Sequence, residues 1–268
     1  MTPIPLCGIN FYKGSYHHCL SELQCNASDK VTTLVVTPNP EMLYEAERNK
    51  ELHGILQSAE YALPDGAGIF VAYQIERSHL PRIVKYTLLP YWCIRAIVHG
   101  HDMKKTYGER ITGSRLTRDL LHYAEQKKIT VTIIDPIVHG NSHGDKVKKE
   151  SQASMENALQ EQFPGIHLNV IISNTVPTDM PHHGIIFATH GNGKQEKLLA
   201  EILQKFPHCG LMVGVGGSID LITGFRSSAP QFFQRFGGEW LYRLYKNPRK
   251  HIARMSKVLS FLHYCLQK

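Results

Sequence analysis

The chain has 268 residues, of which 42% are hydrophobic and 20% charged, with 21 glycines and 14 prolines. That composition excludes disordered, fibrous and disulfide-stapled proteins, and the length suits one large domain with or without an appendage. The formal net charge of +7 is concentrated at one end: residues 226–268 carry nine Lys or Arg against Glu239 alone, leaving 21 bases and 22 acids in the other 225 residues.

No stretch approaches the roughly 18 uncharged apolar residues of a bilayer span. The best, Tyr86 to Val98, is short and contains Pro90 and Arg95. Met1 to Asn10 lacks a basic region followed by an apolar core, so cytoplasmic residence is expected. Six cysteines (Cys7, Cys19, Cys25, Cys93, Cys209, Cys265) form no CxxC pair, which predicts reduced thiols rather than disulfides or a thiolate zinc site.

In chain order, Pro5 to Tyr12 reads as a short strand. Val31 to Thr37 is β-branched and nearly continuous, as in a buried strand of a parallel sheet. Asn39 can cap a helix whose first residue is Pro40, with Met42, Leu43 and Ala46 on its apolar face and Leu52, Ile55, Leu56 and Ala59 continuing the spacing. Tyr61 to Leu63 is a brief strand ending at Pro64-Asp65-Gly66, and Ala67 to Ile75 a helix. Residues 76–109 carry few signals beyond a helix around Tyr91 to Val98. Ser114 can cap a helix to about Gln126, followed by strand Ile129 to Ile134 and polar helix Asp145 to Gln162. His167 to Ser173 and Gly184 to Thr189 are strands, Lys194 to Phe206 a helix and Leu211 to Val213 a strand. This alternation predicts an α/β fold, a Rossmann-like, mostly parallel sheet flanked by helices with right-handed crossovers.

The tail differs in character. Phe232, Phe233, Phe236, Trp240, Leu241 and Leu244 share one helical face, and Asn247-Pro248 starts a second helix with Ile252, Met255, Leu259 and Leu262 at three-four spacing. Arg249, Lys250, Arg254 and Lys257 flank them. The expected organisation is a catalytic domain over residues 1–225 and a basic amphipathic helical appendage over 226–268. Aromatics and leucines accompanying the bases point to an anionic bilayer surface rather than nucleic acid, for which bases spread over the body are expected as well.

In such sheets ligands bind beyond the carboxyl ends of the strands, where loops enter helix N-termini. Four loops qualify: Thr37 to Pro40, Pro64 to Gly68, Thr189 to Gln195 and Gly214 to Ser218. Pro, Asp and Gly are ordinary turn formers, and Asn39 and Thr37 have bland readings as helix cap and strand end. The placement of Asp65 after a strand and before Gly66-Ala67-Gly68 nonetheless makes its carboxylate a candidate general base. Gly214-Val215-Gly216-Gly217-Ser218 allows close backbone approach to a diphosphate without completing the dinucleotide fingerprint. Gly191 to Gln195 is not a P-loop, since Ala188 replaces its first glycine and Gln195 its Ser or Thr. His139 with His143, and His182 with His183, lack a neighbouring carboxylate on a clear helix, which favours surface histidines over metal ligands. There is no GxSxG elbow.

The ordered segments TPNPEMLYEA (37–46), PDGAGI (64–69), GERITGSRL (108–116), KQEK (194–197), GVGGSID (214–220) and GEWLYRL (238–244) resemble the WecG/TagA/CpsF glycosyltransferase family across nearly the whole chain. The resemblance implies an inverting, metal-independent transferase without a cofactor. It would move a hexose, usually N-acetylmannosamine, from UDP to polyprenyl-diphosphate-linked N-acetylglucosamine at the inner face of the plasma membrane, for cell-envelope polysaccharide. It implies Asp65 as the base, with Thr37 and Asn39 lining the same pocket. Arg110, Gln195, Glu196, Gly216, Gly217 and Asp220 would hold the donor, and the tail would complete the site with Arg243, Lys250 and Arg254. The chain departs from the family pattern at Asp135 to Gly140 and in Gly191-Asn192-Gly193-Lys194-Gln195-Glu196, which lacks the usual proline. A glucuronosyl or glucosyl donor therefore stays open, as do a homo-oligomer and, well behind, a noncatalytic nucleotide- or nucleic-acid-binding module using the same glycine loops and basic tail.

Overall fold

The computed structural model describes residues 3–98, 106–136, 145–226 and 239–268. Strands β1 (Ile4–Leu6) and β2 (Ile9–Phe11) form an antiparallel hairpin. The two turn residues, Cys7 and Gly8, both have positive φ (49° and 76°), the backbone of the primed turns that suit strand twist. The single strand expected over residues 5–12 is thus two. A helix that the sequence did not announce, α1 (Tyr16–Ser28), follows. Its buried face is made of Tyr16, Cys19, Leu23 and Ala27, a stripe too mixed to stand out, and the Ser15 side chain accepts from the His18 amide to cap it.

The remaining strands are β3 (Thr33–Val36), β4 (Tyr61–Ala62), β5 (Thr130–Asp135), β6 (His167–Ile172), β7 (Ile185–Ala188) and β8 (Leu211–Gly214). They join the hairpin in one sheet of order β1-β2-β4-β3-β8-β7-β5-β6, parallel in every pairing except β1 with β2. The central strands β3, β8 and β7 are buried at every position, which is why they read as continuous apolar runs.

Helices cover both faces. On one lie α2 (Pro40–Ala46), α3 (Lys50–Ser58), α4 (Ala67–Arg77), α5 (Arg82–Val98), α8 (Lys194–Lys205) and α11 (Pro248–Gln267). On the other, with α1, lie α6 (Gly113–Lys127), α7 (Asp145–Gln162) and α9 (Ser218–Ile222). Successive residues of β3 feed the two cores in turn, Leu34 and Val36 into one and Val35 into the other. The Rossmann-like reading holds.

Local differences have simple causes. The helix expected from Pro40 to Ala59 breaks after Ala46 and restarts at Lys50, where the Asn49 side chain accepts from the Leu52 amide at 3.1 Å. α5 runs through Pro90 and begins nine residues before the expected helix. Thr112, not Ser114, occupies the cap position of α6.

The tail helices are α10 (Glu239–Lys246) and α11, the latter entered through Asn247 with Pro248 as its first residue, as expected. Phe232, Phe233 and Phe236 lie outside the described residues, as do His139 and His143. α11 buries Phe261, Leu262, Cys265 and Leu266 in the core it shares with α2, α4 and α5. Its charged side meets the acids of α2: Arg254 Nε lies 3.0 Å from Glu41, and Lys257 Nζ lies 3.1 Å from Glu41 and 2.6 Å from Glu45. Among the described residues no helix is long and apolar enough to cross a membrane.

Candidate active site

The chain leaves β3 toward β4 on one side and later returns through β7 to β8 on the other, so the connections reverse direction between β3 and β8. Ligands bind at such a switch point, outside the carboxyl ends of the strands. The four loops singled out in the sequence meet there and are tied by hydrogen bonds. Thr37 Oγ1 donates to the Gly214 carbonyl at 3.3 Å, joining the ends of β3 and β8. The Asp65 amide donates to the Pro38 carbonyl at 3.2 Å, joining the β3 and β4 loops. Asn39 Nδ2 lies 3.3 Å from Asn192 Oδ1, which ties in the loop after β7.

Asp65 is half-buried at this rim. Its position depends on two glycines. Gly66 has φ +92°, and a Cβ on Gly68 would stand 2.5 Å from Pro40 Cγ, so only glycine lets the start of α4 lie against the start of α2. Asn39 caps α2 by accepting from the Met42 amide at 3.0 Å, so its side chain serves the helix and faces Asn192 together. The bland and the functional readings of Asn39 describe one geometry.

Arg110 reaches the site through its neighbour: the Ile111 amide donates to the Pro64 carbonyl at 3.3 Å. Arg110 Nε is buried and has no hydrogen-bond partner among the described residues. A buried guanidinium nitrogen left unsatisfied is costly, and an anion supplied by a ligand would satisfy it.

Gln195 and Glu196 are buried, 2% and 0% exposed. Gln195 Oε1 accepts from the Gly216 amide at 2.8 Å, and its Nε2 donates to Glu196 at 2.8 Å. Glu196 also accepts from the Gly193 amide at 2.7 Å and so closes the first turn of α8. The pair clamps the glycine loop after β8 to the loop after β7, and a Cβ on Gly214 would stand 2.8 Å from Gln195 Nε2. Gly216 has φ +50°. Asp220 and Arg226 flank the same turn: a Cβ on Gly217 would lie 3.0 Å from Arg226 Nη1 and 3.8 Å from Asp220.

Burial pushes the Glu196 carboxyl up to about 7, against the smaller downward pull of its hydrogen bonds from Gln195 and Gly193. A carboxyl that binds its proton more tightly folded than unfolded stabilises fully below its ordinary value of 4.5 and loses that contribution as pH climbs through about 7. Thermal melts across this window are expected to show a falling midpoint, and Glu196→Gln is expected to flatten the fall. An equal slope in the variant would remove Glu196 as its source.

Three residues were not singled out as site groups from sequence. Asn192 and Glu41 hydrogen-bond at 3.3 Å beside Asn39, and Arg226 was read only as the first base of the tail. Their signal was positional: Asn192 and Glu41 stand within two residues of a glycine or cap at a strand-end loop, and Arg226 two residues after Gly224. Arg254 sits on Glu41, beside the rim rather than among the glycine loops. Arg243 belongs to α10 and Lys250 to α11, and their side chains are outside the described residues. The group of potential metal ligands among the described residues, Cys7, Glu76 and Cys265, stands at the opposite, amino-terminal edge of the parallel strands. His182 and His183 are exposed in the loop before β7.

Sequence comparison with known proteins identifies the chain's relatives. The chain is 26% identical over 98% of its length, and 90% of the relative's, to an N-acetylglucosaminyldiphosphoundecaprenol N-acetyl-beta-D-mannosaminyltransferase of Bacillus spizizenii. It is 23% identical over 88% of its length, and 79% of the relative's, to the protein of the same description in Bacillus subtilis. The glycosyl transferase WecG/TagA/CpsF family matches residues 4–107 and 96–268. The chain belongs to that family and is a glycosyltransferase.

Proposed function

We propose that the protein transfers N-acetylmannosamine from UDP to N-acetylglucosamine carried on a polyprenyl diphosphate, with inversion at the sugar's anomeric carbon. The observation that carries this reading is Asp65, held at the switch point by its amide bond to Pro38 and by the Gly68–Pro40 contact. The acceptor specificity comes from the relatives, whose names give that acceptor and that sugar.

The Asp65 carboxylate takes the proton of the acceptor hydroxyl as its oxygen attacks the anomeric carbon. The bond from that carbon to the diphosphate breaks on the opposite face, and UDP leaves with the electron pair. Negative charge grows on the departing diphosphate, so donors fixed beforehand lower the barrier more than groups that must reorient. Arg110 and Arg226 supply cations, and the glycine loop Gly214–Ser218 supplies backbone that a diphosphate can approach closely. Gln195 and Glu196 hold that loop in shape, while Thr37 and Asn39 line the pocket and Asp220 flanks the loop. No metal is required in this scheme, because fixed cations meet the leaving charge.

The lipid acceptor places the reaction at a membrane surface. Residues 226–268, with α10 and α11, act as the membrane-facing appendage of a body formed by residues 1–225, at the cytoplasmic face of the plasma membrane. Purified protein given UDP-N-acetylmannosamine and a short-chain, water-soluble N-acetylglucosamine diphospholipid is expected to release UDP stoichiometrically with disaccharide. Turnover with UDP-glucose or UDP-glucuronate, and none with UDP-N-acetylmannosamine, would overturn the assigned donor.

A further inference from the structure

We propose that α5 is a second membrane-docking element, which joins α11 in a single lipid-facing surface. This deepens the transferase reading above by assigning a role to residues 82–98, outside the tail. α5 is apolar on both sides. Trp92 and Ala96 are buried in the core, with Leu88, Leu89 and Cys93 packed against it. The outward face presents Ile83, Tyr91 and Ile94 at 80%, 56% and 61% exposure. A run of large exposed apolar groups marks a surface that something covers.

The surface continues onto α11. Arg82 Nη2 donates to the Gln267 carbonyl at 2.6 Å, and Tyr86 Oη lies 2.9 Å from His263 Nδ1. These contacts set the two helices side by side and antiparallel, which brings the exposed Leu259 level with Pro90 and Tyr91. Ile252, exposed on the same helix, extends the strip toward the end of α11 that pairs with Glu41.

Charge chooses the occupant. Residues 77–98 contain Arg77, Arg82, Lys85 and Arg95 and no acid, and residues 240–268 contain seven Lys or Arg and no acid. A second copy of the chain docking here by two-fold symmetry would set this base-rich face against itself. A bilayer with anionic headgroups meets the bases with opposite charge while isoleucines and tyrosines enter the boundary between headgroups and acyl chains. Arg254 and Lys257 are engaged by Glu41 and Glu45, so the bases of α5 supply attraction that those two do not.

The test uses the full chain and vesicles of phosphatidylcholine with or without phosphatidylglycerol. Ile83→Glu with Ile94→Glu, and separately Arg95→Glu, change exposed side chains and are expected to keep the thermal midpoint and the turnover on the water-soluble acceptor. The isoleucine pair is expected to lose roughly tenfold or more in partitioning to phosphatidylglycerol vesicles, as burial of one aliphatic side chain would give. Arg95→Glu is expected to lose severalfold, and the loss to shrink in high salt. Wild-type partitioning by both variants would overturn the proposal, as would a wild-type dimer in solution that Ile94→Glu dissociates. The two readings fail separately: vesicle binding lost in the variants while the wild type releases no UDP would leave docking intact and sink the transfer reaction, and the reverse pattern would do the opposite.

Discussion

Asp65→Asn is expected to lower turnover by roughly a hundredfold to ten-thousandfold, the span usually contributed by a positioned general base. Asparagine keeps the size of the side chain, and the bond that places the turn, from the Asp65 amide to Pro38, is made by the backbone and survives. The Gly68–Pro40 contact survives too, so the fold is expected to melt at the wild-type temperature. UDP affinity, measured by calorimetric titration, should stay within about twofold, because the charge assigned to meet the diphosphate is carried by Arg110 and Arg226, which the substitution leaves in place. A kcat that persists in Asp65→Asn would show that another group takes the proton. A parallel loss of UDP binding would show that Asp65 belongs to the donor side.

Phe261→Ala is expected to cost about 3 to 5 kcal/mol of folding free energy, as removal of a buried phenyl ring from a packed core does. Phe261 is 0% exposed and lies in the core shared by α2, α4 and α11, although it belongs to the chain's last eight residues. Leu259→Ala, two positions away and 59% exposed, is expected to stay within about 0.5 kcal/mol. Urea titrations of the two variants would separate them, and a small loss at Phe261 would mean that α11 packs loosely. Deletion of residues 226–268 also removes Leu262, Cys265 and Leu266 from that core. Loss of vesicle binding after such a deletion would mix unfolding with loss of the surface, which is why exposed point variants are the sharper probe.

The sequence carried the parallel sheet because its central strands are buried on both faces and appear as unbroken β-branched runs, as in Val31 to Thr37. It carried the loops because parallel strands end where helices begin, and Asn39-Pro40, Pro64-Asp65-Gly66 and the glycines after β8 each mark such a change. Periodicity of single residues was weaker. α1 stayed hidden since its buried face mixes Tyr16 and Cys19 with Leu23 and Ala27, and α5 was underestimated because residues 76–109 mix Pro81 and Pro90 with aromatics and charge. Proline inside a helix removes one amide donor and crowds the preceding turn, yet α5 continues through Pro90 with Leu88, Leu89, Trp92 and Ala96 packed on the core around it. The site's neighbourhoods were legible, whereas its pairings were not: nothing local to Glu41 shows that it meets Asn192 on one side and Arg254 on the other, two contacts that span 151 and 213 residues of chain. The inward turn of Gln195 and Glu196 was equally invisible, because a polar pair at a helix start ordinarily faces water.

α11 is fastened by unlike means at its two ends. Toward Leu266 it is held chiefly by oil-like packing that dissolved ions hardly touch, with a single longer ion pair, Lys268–Glu47 at 3.7 Å, among the described residues, and toward Arg254 by half-exposed charge pairs, each worth at most about 1 kcal/mol and readily screened. Electrolyte therefore loosens the helix most at the end resting on Glu41, two residues from Asn39, where charge pairs carry more of the hold. The rim of the cleft thus rests on the end of the helix that salt weakens most, while the far end keeps its apolar anchor.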